Sequence, residues 1–323
     1  MPAAASPADA VKAAVYYRPG GPEVFRYEEV PEPAPGLDGV LIRVEAISVE
    51  GGDVLHRARG QISAAPHIVG YQAAGTVLTI GSQVTGFRAG DRVVTVGTDG
   101  SHAELRAVPE QFCWAIPPGL SAGEAACVPI ACGTADDALF EFGRLQRGET
   151  VLVQAGAGGV GIAAIQLAKR AGARVLATAS TEARLERLTE LGLDHGINHA
   201  TEDVVAEVMR LTGGRGVDLV FEHVGGELFQ KGLDSLAKDG RLVVCGGHSG
   251  EVVPFDIIPF FRAQKSVIGS FVYTRDEVET CLELARRGKI VPLVHATYPL
   301  GQAREAMAAM ERREQFGKIV LKP

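Results

Sequence analysis

One stretch, Val151-Leu-Val-Gln-Ala-Gly-Ala-Gly-Gly-Val-Gly161, constrains the fold of this chain more than any other. An apolar run ends in Gly156-x-Gly158-x-x-Gly161. The glycines then pass straight into Ile162-Ala-Ala-Ile-Gln-Leu-Ala-Lys-Arg-Ala171, a run of good helix formers. That order predicts a strand, a tight turn and a helix N-terminus in one piece. Gly156 permits the turn, Gly158 lets a pyrophosphate approach the backbone, and Gly161 lets the helix pack closely on the strand. The free N–H groups at the helix start, with the positive end of its dipole, then hold phosphate. The motif predicts a dinucleotide site over Gly156, Ala157, Gly158, Gly159, Val160 and Gly161. Its alternative is a glycine-rich loop that only permits tight packing.

The rest of the composition narrows the setting. At 323 residues the chain is long enough for two domains, each with its own core. A net charge of −7 argues against nucleic acid or an anionic membrane surface as the main partner. The cysteines, Cys113, Cys127, Cys132, Cys245 and Cys281, form no CxxC pair and are odd in number. This predicts buried reduced thiols and a reducing, cytoplasmic setting. The first ten residues have no basic region followed by an apolar core, so they read as a mobile tail rather than a secretory signal. No window approaches about 18 uninterrupted apolar residues, so no membrane span is expected.

Before residue 125 the pattern is short and strand-like, punctuated by glycine and proline, as in 40–48, 75–80 and 91–96. Such runs suggest a twisted, β-rich domain of barrel type. The segment 121–142 reads as helical, with Ser121 and Glu124 in capping-box spacing. From Thr150 the rhythm changes to alternating strands and helices. The predicted strands are 151–154, 174–179, 195–198, 217–222, 240–245 and 266–272, with helical patterns such as 182–191 and 201–211 between them. Apolar strands separated by helices imply a parallel sheet buried on both faces, a doubly wound α/β domain. Two more helical segments, 276–287 and 300–313, precede a last strand, 317–321, which is expected to return to the N-terminal domain.

The sequence also bears on the cofactor. An NAD site normally places an acid roughly 20 residues past the glycine turn to accept from the ribose 2′-OH. Here Ala179 and Ser180 hold that place, and no acid appears before Glu182. A carboxylate would repel a 2′-phosphate. Hydroxyls from Ser180 and Thr181 with a cation, Arg184, would admit one. NADPH is therefore expected over NADH, unless Arg184 is only a solvated helix residue.

At this point the chain resembles the medium-chain dehydrogenase/reductase superfamily, in its zinc-free quinone oxidoreductase (zeta-crystallin-like) branch. Carrying the resemblance, in order, are Gly90-Asp-Arg-Val-Val94, Cys132-Gly-Thr-Ala-Asp-Asp-Ala-Leu139, Ala155-Gly-Ala-Gly-Gly-Val-Gly161, Gly196-Ile-Asn-His199, Gly240-Arg-Leu-Val-Val244 and Phe316-Gly-Lys-Ile-Val-Leu321. It implies an α/β protein: a GroES-like β-rich catalytic domain over 1–124 and 273–323, and a Rossmann NADPH-binding domain over 125–272. It also implies a cleft between them and a homodimer joined through edge strands of the Rossmann sheets, here 266–272. By position, Ser180, Arg184 and His199 match the 2′-phosphate contacts. Val224, Gly246, Gly247 and His248 would lie along the cofactor. Gly269, Ser270 and Phe271 would face the nicotinamide, with Thr134 nearby. His199 alone reads equally well as a loop histidine.

Zinc-dependent relatives need a cysteine, a His-Glu pair and a second cysteine at the reaction centre, where zinc takes soft or imidazole ligands. Those positions hold Glu50, Tyr71-Gln72 and Ile130 here, and 97–107 is too short to form a structural zinc lobe. No metal is expected. Without a Lewis acid an alcohol has no stabilised alkoxide. Hydride transfer then suits acceptors that delocalise charge themselves, namely quinones, enones, enals or enoyl thioesters. The candidate proton donors are Glu50, Asp53 and Tyr71. Glu50 stands where zinc-free members usually carry Asn, and Leu55 where they often carry Tyr. A buried Glu50 has its pKa raised and can donate; its alternative is a carboxylate bonded to local backbone or paired with Arg57. Asp53 reads more as a structural acceptor, and Tyr71 as a pocket residue. The expected function is NADPH-dependent reduction of a quinone or other conjugated carbonyl. The alternatives are an activated-alkene reductase and, in another class, a weakly catalytic crystallin-like or RNA-associated protein. The acidic balance and lack of a basic aromatic patch argue against RNA.

Overall fold

Strand propensity and turn residues set the layout before Pro129. The structure, a computed structural model, describes residues 10–62 and 64–323, so most of the expected N-terminal tail lies outside the described residues. Among the described residues eight strands come first: β1 (Ala10–Tyr16), β2 (Arg26–Pro31), β3 (Gly39–Val49), β4 (His67–Ile68), β5 (Gln72–Ile80), β6 (Arg92–Val96), β7 (Leu105–Pro109) and β8 (Cys113–Ala115). Six follow in the alternating region: β9 (Thr150–Val153), β10 (Arg174–Ala179), β11 (His195–Asn198), β12 (Val217–Glu222), β13 (Leu236–Val244) and β14 (Ser266–Gly269). The last two are β15 (Val294–Pro299) and β16 (Lys318–Lys322).

The chain divides into two compact units, one reaching Pro129 and resuming at Leu293, the other spanning Ile130–Pro292. In the first, a seven-stranded sheet runs β15-β16-β3-β5-β6-β8, with β7 also on β3, beside a three-stranded sheet β2-β1-β4. This is a GroES-like domain. Strand β3 carries it: its inward residues Val40, Ile42, Val44 and Ile47 meet Val77, Val93, Met307, Ile319 and Leu321 in one core. The C-terminal strand returns as the sequence predicts, with Ile319, Val320 and Leu321 antiparallel to Val49, Ser48 and Ile47.

The second unit is a doubly wound parallel sheet of Rossmann type, ordered β11-β10-β9-β12-β13-β14. Its central strands are buried along their length, which is why they read as unbroken apolar runs rather than alternating ones. Ridges from the helices Gly159–Arg170, Val204–Leu211 and Gly226–Ser235 cover the sheet. The helix Arg275–Arg286 is also counted here. Its Cys281 is a neighbour of Cys132, and beyond it Val291 exchanges two hydrogen bonds with the Gln166 side chain. The cysteines form no disulfide; Cys245 is half-buried and the others are buried. Among the described residues no helix is long and apolar enough to cross a membrane.

One expectation changes form. The segment 121–142 is not one regular helix. Ala122–Ala126 is α-helical, capped by Ser121 and Glu124 as the sequence predicts, but the chain then widens into π-helical turns at Pro129–Gly133 and Asp137–Phe142. Pro129 lacks the N–H that would continue an α-helical ladder, and the irregular turns absorb the break.

The glycine turn shows which of its residues the fold itself requires. A Cβ on Gly161 would stand 2.5 Å from the Ala155 carbonyl oxygen and 2.8 Å from the Gly156 Cα. A Cβ on Gly158 would meet nothing nearer than 3.5 Å, at an ordinary φ of −78°. Gly161→Ala is therefore expected to lower unfolding free energy by about 1–3 kcal/mol. Gly158→Ala should leave it within about 0.5 kcal/mol. Urea titration of the two variants checks the contrast.

Candidate active site

Strand β9 delivers the glycine turn to the C-terminal edge of the sheet, beside the place where strand order reverses. Ala155, at a left-handed φ of 47°, starts the turn, with its N–H on Thr178 Oγ1 at 3.0 Å and the Gly156 N–H on the Thr178 carbonyl at 2.8 Å. Gly158 then caps the helix Gly159–Arg170. The N–H groups of Gly159, Val160 and Gly161 fall in the first turn, where a helix supplies no acceptor of its own. The fold gives Gly158 no crowded neighbour, so internal packing does not account for its lack of a side chain.

At the end of β10, Arg184 Nη1 donates to Ser180 Oγ at 2.7 Å. Asn198, paired in register with Ala179, ends β11, and His199 N–H bonds the Ala179 carbonyl. Ser180, Thr181, Arg184 and His199 are thus gathered at adjoining strand ends. The nearest acid, Glu182, accepts from the Asn198 amide at 2.8 Å.

A second loop system closes the edge over β12 and β13. Glu222, fully buried, accepts the N–H groups of Val224 and Gly225 at 2.7 and 2.8 Å, and burial pushes its carboxyl upward. Ser249 N–H bonds the Val224 carbonyl, bringing the Gly246, Gly247 and His248 turn beside it. His223 Nε2 lies 2.8 Å from the Gln154 carbonyl, and burial lowers its pKa to about 4. Past β14, Ser270 N–H donates to the Val244 carbonyl and Ser270 Oγ to Asp137 Oδ2 at 2.5 Å. Thr134 lies one turn before Asp137. Phe271 is 90% exposed.

In the first unit, Glu50 caps the helix Gly51–Arg59 and Asp53 sits at its third position, accepting the Glu50 N–H at 2.8 Å. The Tyr71 ring packs over Gly52, where a Cβ would fall 2.3 Å from it. The three candidate proton donors are therefore neighbours. Glu50 is buried, and its Oε1 accepts from Ser48 Oγ at 3.0 Å, from Gln72 Nε2 and from the Lys318 ammonium. Pairing of Glu50 with Arg57 is not what forms. Arg57 turns instead to Glu311 and the Gly20 carbonyl, because Lys318 on the returning strand β16 already occupies the carboxylate. Asp53 is fully buried. Desolvation first, then the Glu50 charge, raises its pKa to about 7. His102 Nε2 is 3.9 Å away, neutral, and pushed down by burial to about 3. Burial and these same carboxylates hold the Tyr71 phenol above its ordinary value.

Several of these residues escape a reading of motifs. Lys318 was visible only as the lysine inside a closing apolar strand. Glu222 was visible as an acid ending a buried strand, and Asp137 as an acid in an otherwise small and apolar segment. Such acids and bases signal an internal partner, but sequence does not say which.

Family models match in both units: the alcohol dehydrogenase GroES-like domain over residues 36–118 and the zinc-binding dehydrogenase model over 159–287. A 2-haloacrylate reductase from Burkholderia sp is 33% identical over 334 residues, covering 97% of this chain and 99% of that protein. The solved Escherichia coli quinone oxidoreductase complexed with NADPH superimposes with a TM-score of 0.91 at 27% identity, over 97% of this chain and all of that one. An NAD-dependent alcohol dehydrogenase structure does so with a TM-score of 0.91 at 33% identity, over 97% of this chain and 99% of that one. Fold, glycine turn and these likenesses agree on the class, an oxidoreductase that binds a nicotinamide cofactor. The chain belongs to the medium-chain dehydrogenase/reductase family, in its quinone oxidoreductase branch.

The Asp53 carboxyl sets a pH test. Its native pKa of about 7 stands above the ordinary 3.8, so between those values the folded protein keeps a proton that the unfolded chain has released. The stability linked to Asp53 is full below pH 3.8 and is lost as pH rises toward about 7. His102 works oppositely, withdrawing stability as pH falls from 6.5 toward about 3. The difference in unfolding free energy between parent and Asp53→Asn isolates the first effect. It is expected to fall from about pH 4 to pH 7 in urea titrations, and a flat difference would mark Asp53 as an ordinary ionised carboxylate.

Proposed function

We propose that this protein is an NADPH-dependent reductase of quinones and related conjugated carbonyl acceptors that works without a metal. The observation that carries the reading is the pairing of a bare glycine cradle with the Ser180–Arg184 contact, at the place where a 2′-OH site would present a carboxylate. When bound, NADPH supplies a hydride. The glycine turn and first helical turn would hold its pyrophosphate, and Ser180, Thr181, Arg184 and His199 its 2′-phosphate. Val224 and the turn Gly246, Gly247 and His248 would lie along its length, with Thr134, Gly269, Ser270 and Phe271 around the nicotinamide.

The absence of a metal is supported by the donor set. Zinc favours thiolate and imidazole. Glu50 already shares its oxygen with the Lys318 ammonium, Gln72 donates to that same oxygen, and Tyr71 is a phenol that burial keeps protonated. Among the described residues no group of His, Cys, Asp and Glu converges as a metal site. Proton delivery falls to this cluster. Tyr71 is its half-exposed member, and Asp53 behind it keeps a proton into the neutral range. Glu50, committed to three donors, is assigned to holding Lys318 and Gln72 in place.

A second reading, reduction of an activated alkene, is favoured by the end-to-end likeness to a 2-haloacrylate reductase. Oxidation of NADPH should be followed with quinones, enals, enoyl thioesters and 2-haloacrylate. Turnover with quinones supports the first reading, and deuterium delivered from labelled NADPH to an alkene β-carbon supports the second. No turnover with any acceptor removes both. In the same assay Arg184→Ala should raise the NADPH Michaelis constant about tenfold or more, a loss near 1.4 kcal/mol, and leave that of NADH nearly unchanged.

We further infer a homodimer through β14. This strand is the outer one of its sheet, and in the chain before and after it Val252, Ile257, Ile258, Phe261 and Phe271 are 92%, 66%, 53%, 59% and 90% exposed. An open strand edge flanked by that much apolar surface calls for a cover. Sedimentation at twice the 34.0 kDa chain mass is expected, with Phe261→Glu shifting the protein to monomer.

A further inference from the structure

The segment between β14 and the helix Arg275–Arg286 is held in a conformation it would not choose for itself. Val272 has φ 67°. A β-branched residue in the left-handed region is an outlier, and it persists only where its surroundings over-determine it. Val272 is itself 62% exposed, so its own side chain is not what holds it. The restraint comes from the two flanks. On one side Ser270 is buried, with its N–H on the Val244 carbonyl and its hydroxyl on Asp137 Oδ2. On the other, the Tyr273 ring lies so close over Gly133 that a Cβ there would come within 2.6 Å of it. Thr274 then caps the following helix in a box with Glu277.

Both flanks rest on one platform. Gly133 ends the first π-helical turn and Asp137 begins the second, with Thr134 between them. Widened turns of this kind move a side chain off the positions a regular α-helix offers, and they recur at functional sites. Here the displacement turns the buried Asp137 toward the Ser270 hydroxyl.

We propose that Asp137 is a positioning residue that fixes the Gly269–Val272 segment against the nicotinamide by holding Ser270. This rests on the reading above that Gly269, Ser270 and Phe271 face that ring. With Asp137 in place, the backbone of the segment is set before the cofactor arrives, so the ring meets a fixed wall. Without it, the strain at Val272 relaxes the segment outward, and the cofactor still binds through its phosphates but the hydride carbon is no longer aimed.

The test uses the full chain with Ser270→Ala, Asp137→Ala, Asp137→Asn and the Asp137→Ala/Ser270→Ala pair. In the cofactor-free protein, amide exchange across 269–273 should quicken about tenfold or more in both alanine variants, while that of β9 and β10 stays at the parent rate. With NADPH and whichever acceptor the parent reduces, kcat should fall about tenfold or more, the double variant should be no slower than either single, and the NADPH dissociation constant should move less than about threefold. Unchanged exchange in Ser270→Ala, or kcat within about twofold of the parent, would overturn the proposal. So would equal losses of kcat and NADPH affinity. If Asp137→Ala does not fold, Ser270→Ala, which removes only a hydroxyl, and Asp137→Asn decide the matter on the same readouts. Failure of the parent itself to bind or oxidise NADPH is a separate result. It strikes the functional reading, and it is seen before any variant is made.

Discussion

How closely a helix may begin beside the end of its own strand governs the nucleotide edge of this protein. With the Ala155 carbonyl and the Gly156 backbone pressed against the position a Gly161 side chain would need, the helix Gly159–Arg170 starts directly over the sheet. Its first N–H groups are thereby aimed along the strand ends, where a phosphate can reach them. Had the helix stood one methyl group further off, the same glycines would make an ordinary loop. Gly158 is the complementary case, since packing leaves it room for a side chain and so does not itself require glycine there.

The first unit is organised by a different constraint, the burial of charge. Lys318 and Glu50 are each largely removed from water, and neither would tolerate that alone. Their pairing ties the last strand to the cap of the helix that carries Asp53. It also occupies the Glu50 Oε1 oxygen, which already accepts from Ser48 and Gln72. The Glu50 charge, kept in place by Lys318, is then part of what raises Asp53 toward neutrality. One buried pair therefore both builds the cluster and helps raise Asp53, which also takes a backbone hydrogen bond from Tyr71.

Much of this was legible in the sequence because period and turn chemistry are local. Strands β10, β11 and β12 lie where their apolar runs place them, and the capping box at Ser121 and Glu124 forms as its spacing predicts. The Ser180–Arg184 contact was legible for the same reason, being one helical turn long. What stayed hidden is long-range. Nothing near Glu50 announces that its partner is Lys318, 268 positions away, and the nearer Arg57 is the natural guess until the returning strand is placed. The π-helical turns around Asp137 were equally silent, since composition that favours a helix does not say where its ladder widens.

Those hidden contacts share a physical character that bears on function. Each joins a residue near one end of an element to backbone or side chains brought in from far along the chain: Lys318 to Val49 and Glu50, and Asp137 to Ser270. The local motifs make surfaces that any nicotinamide dinucleotide could approach. The long-range polar contacts hold in place the groups they join. Under the proposed function no metal orders the acceptor, so that order would have to come from the protein, and a buried hydrogen bond to an acid is stiffer than an exposed one because no water competes for it. On that proposal the acidic residues set inside the apolar framework would be part of the means by which a hydride carbon and its acceptor are brought to one geometry.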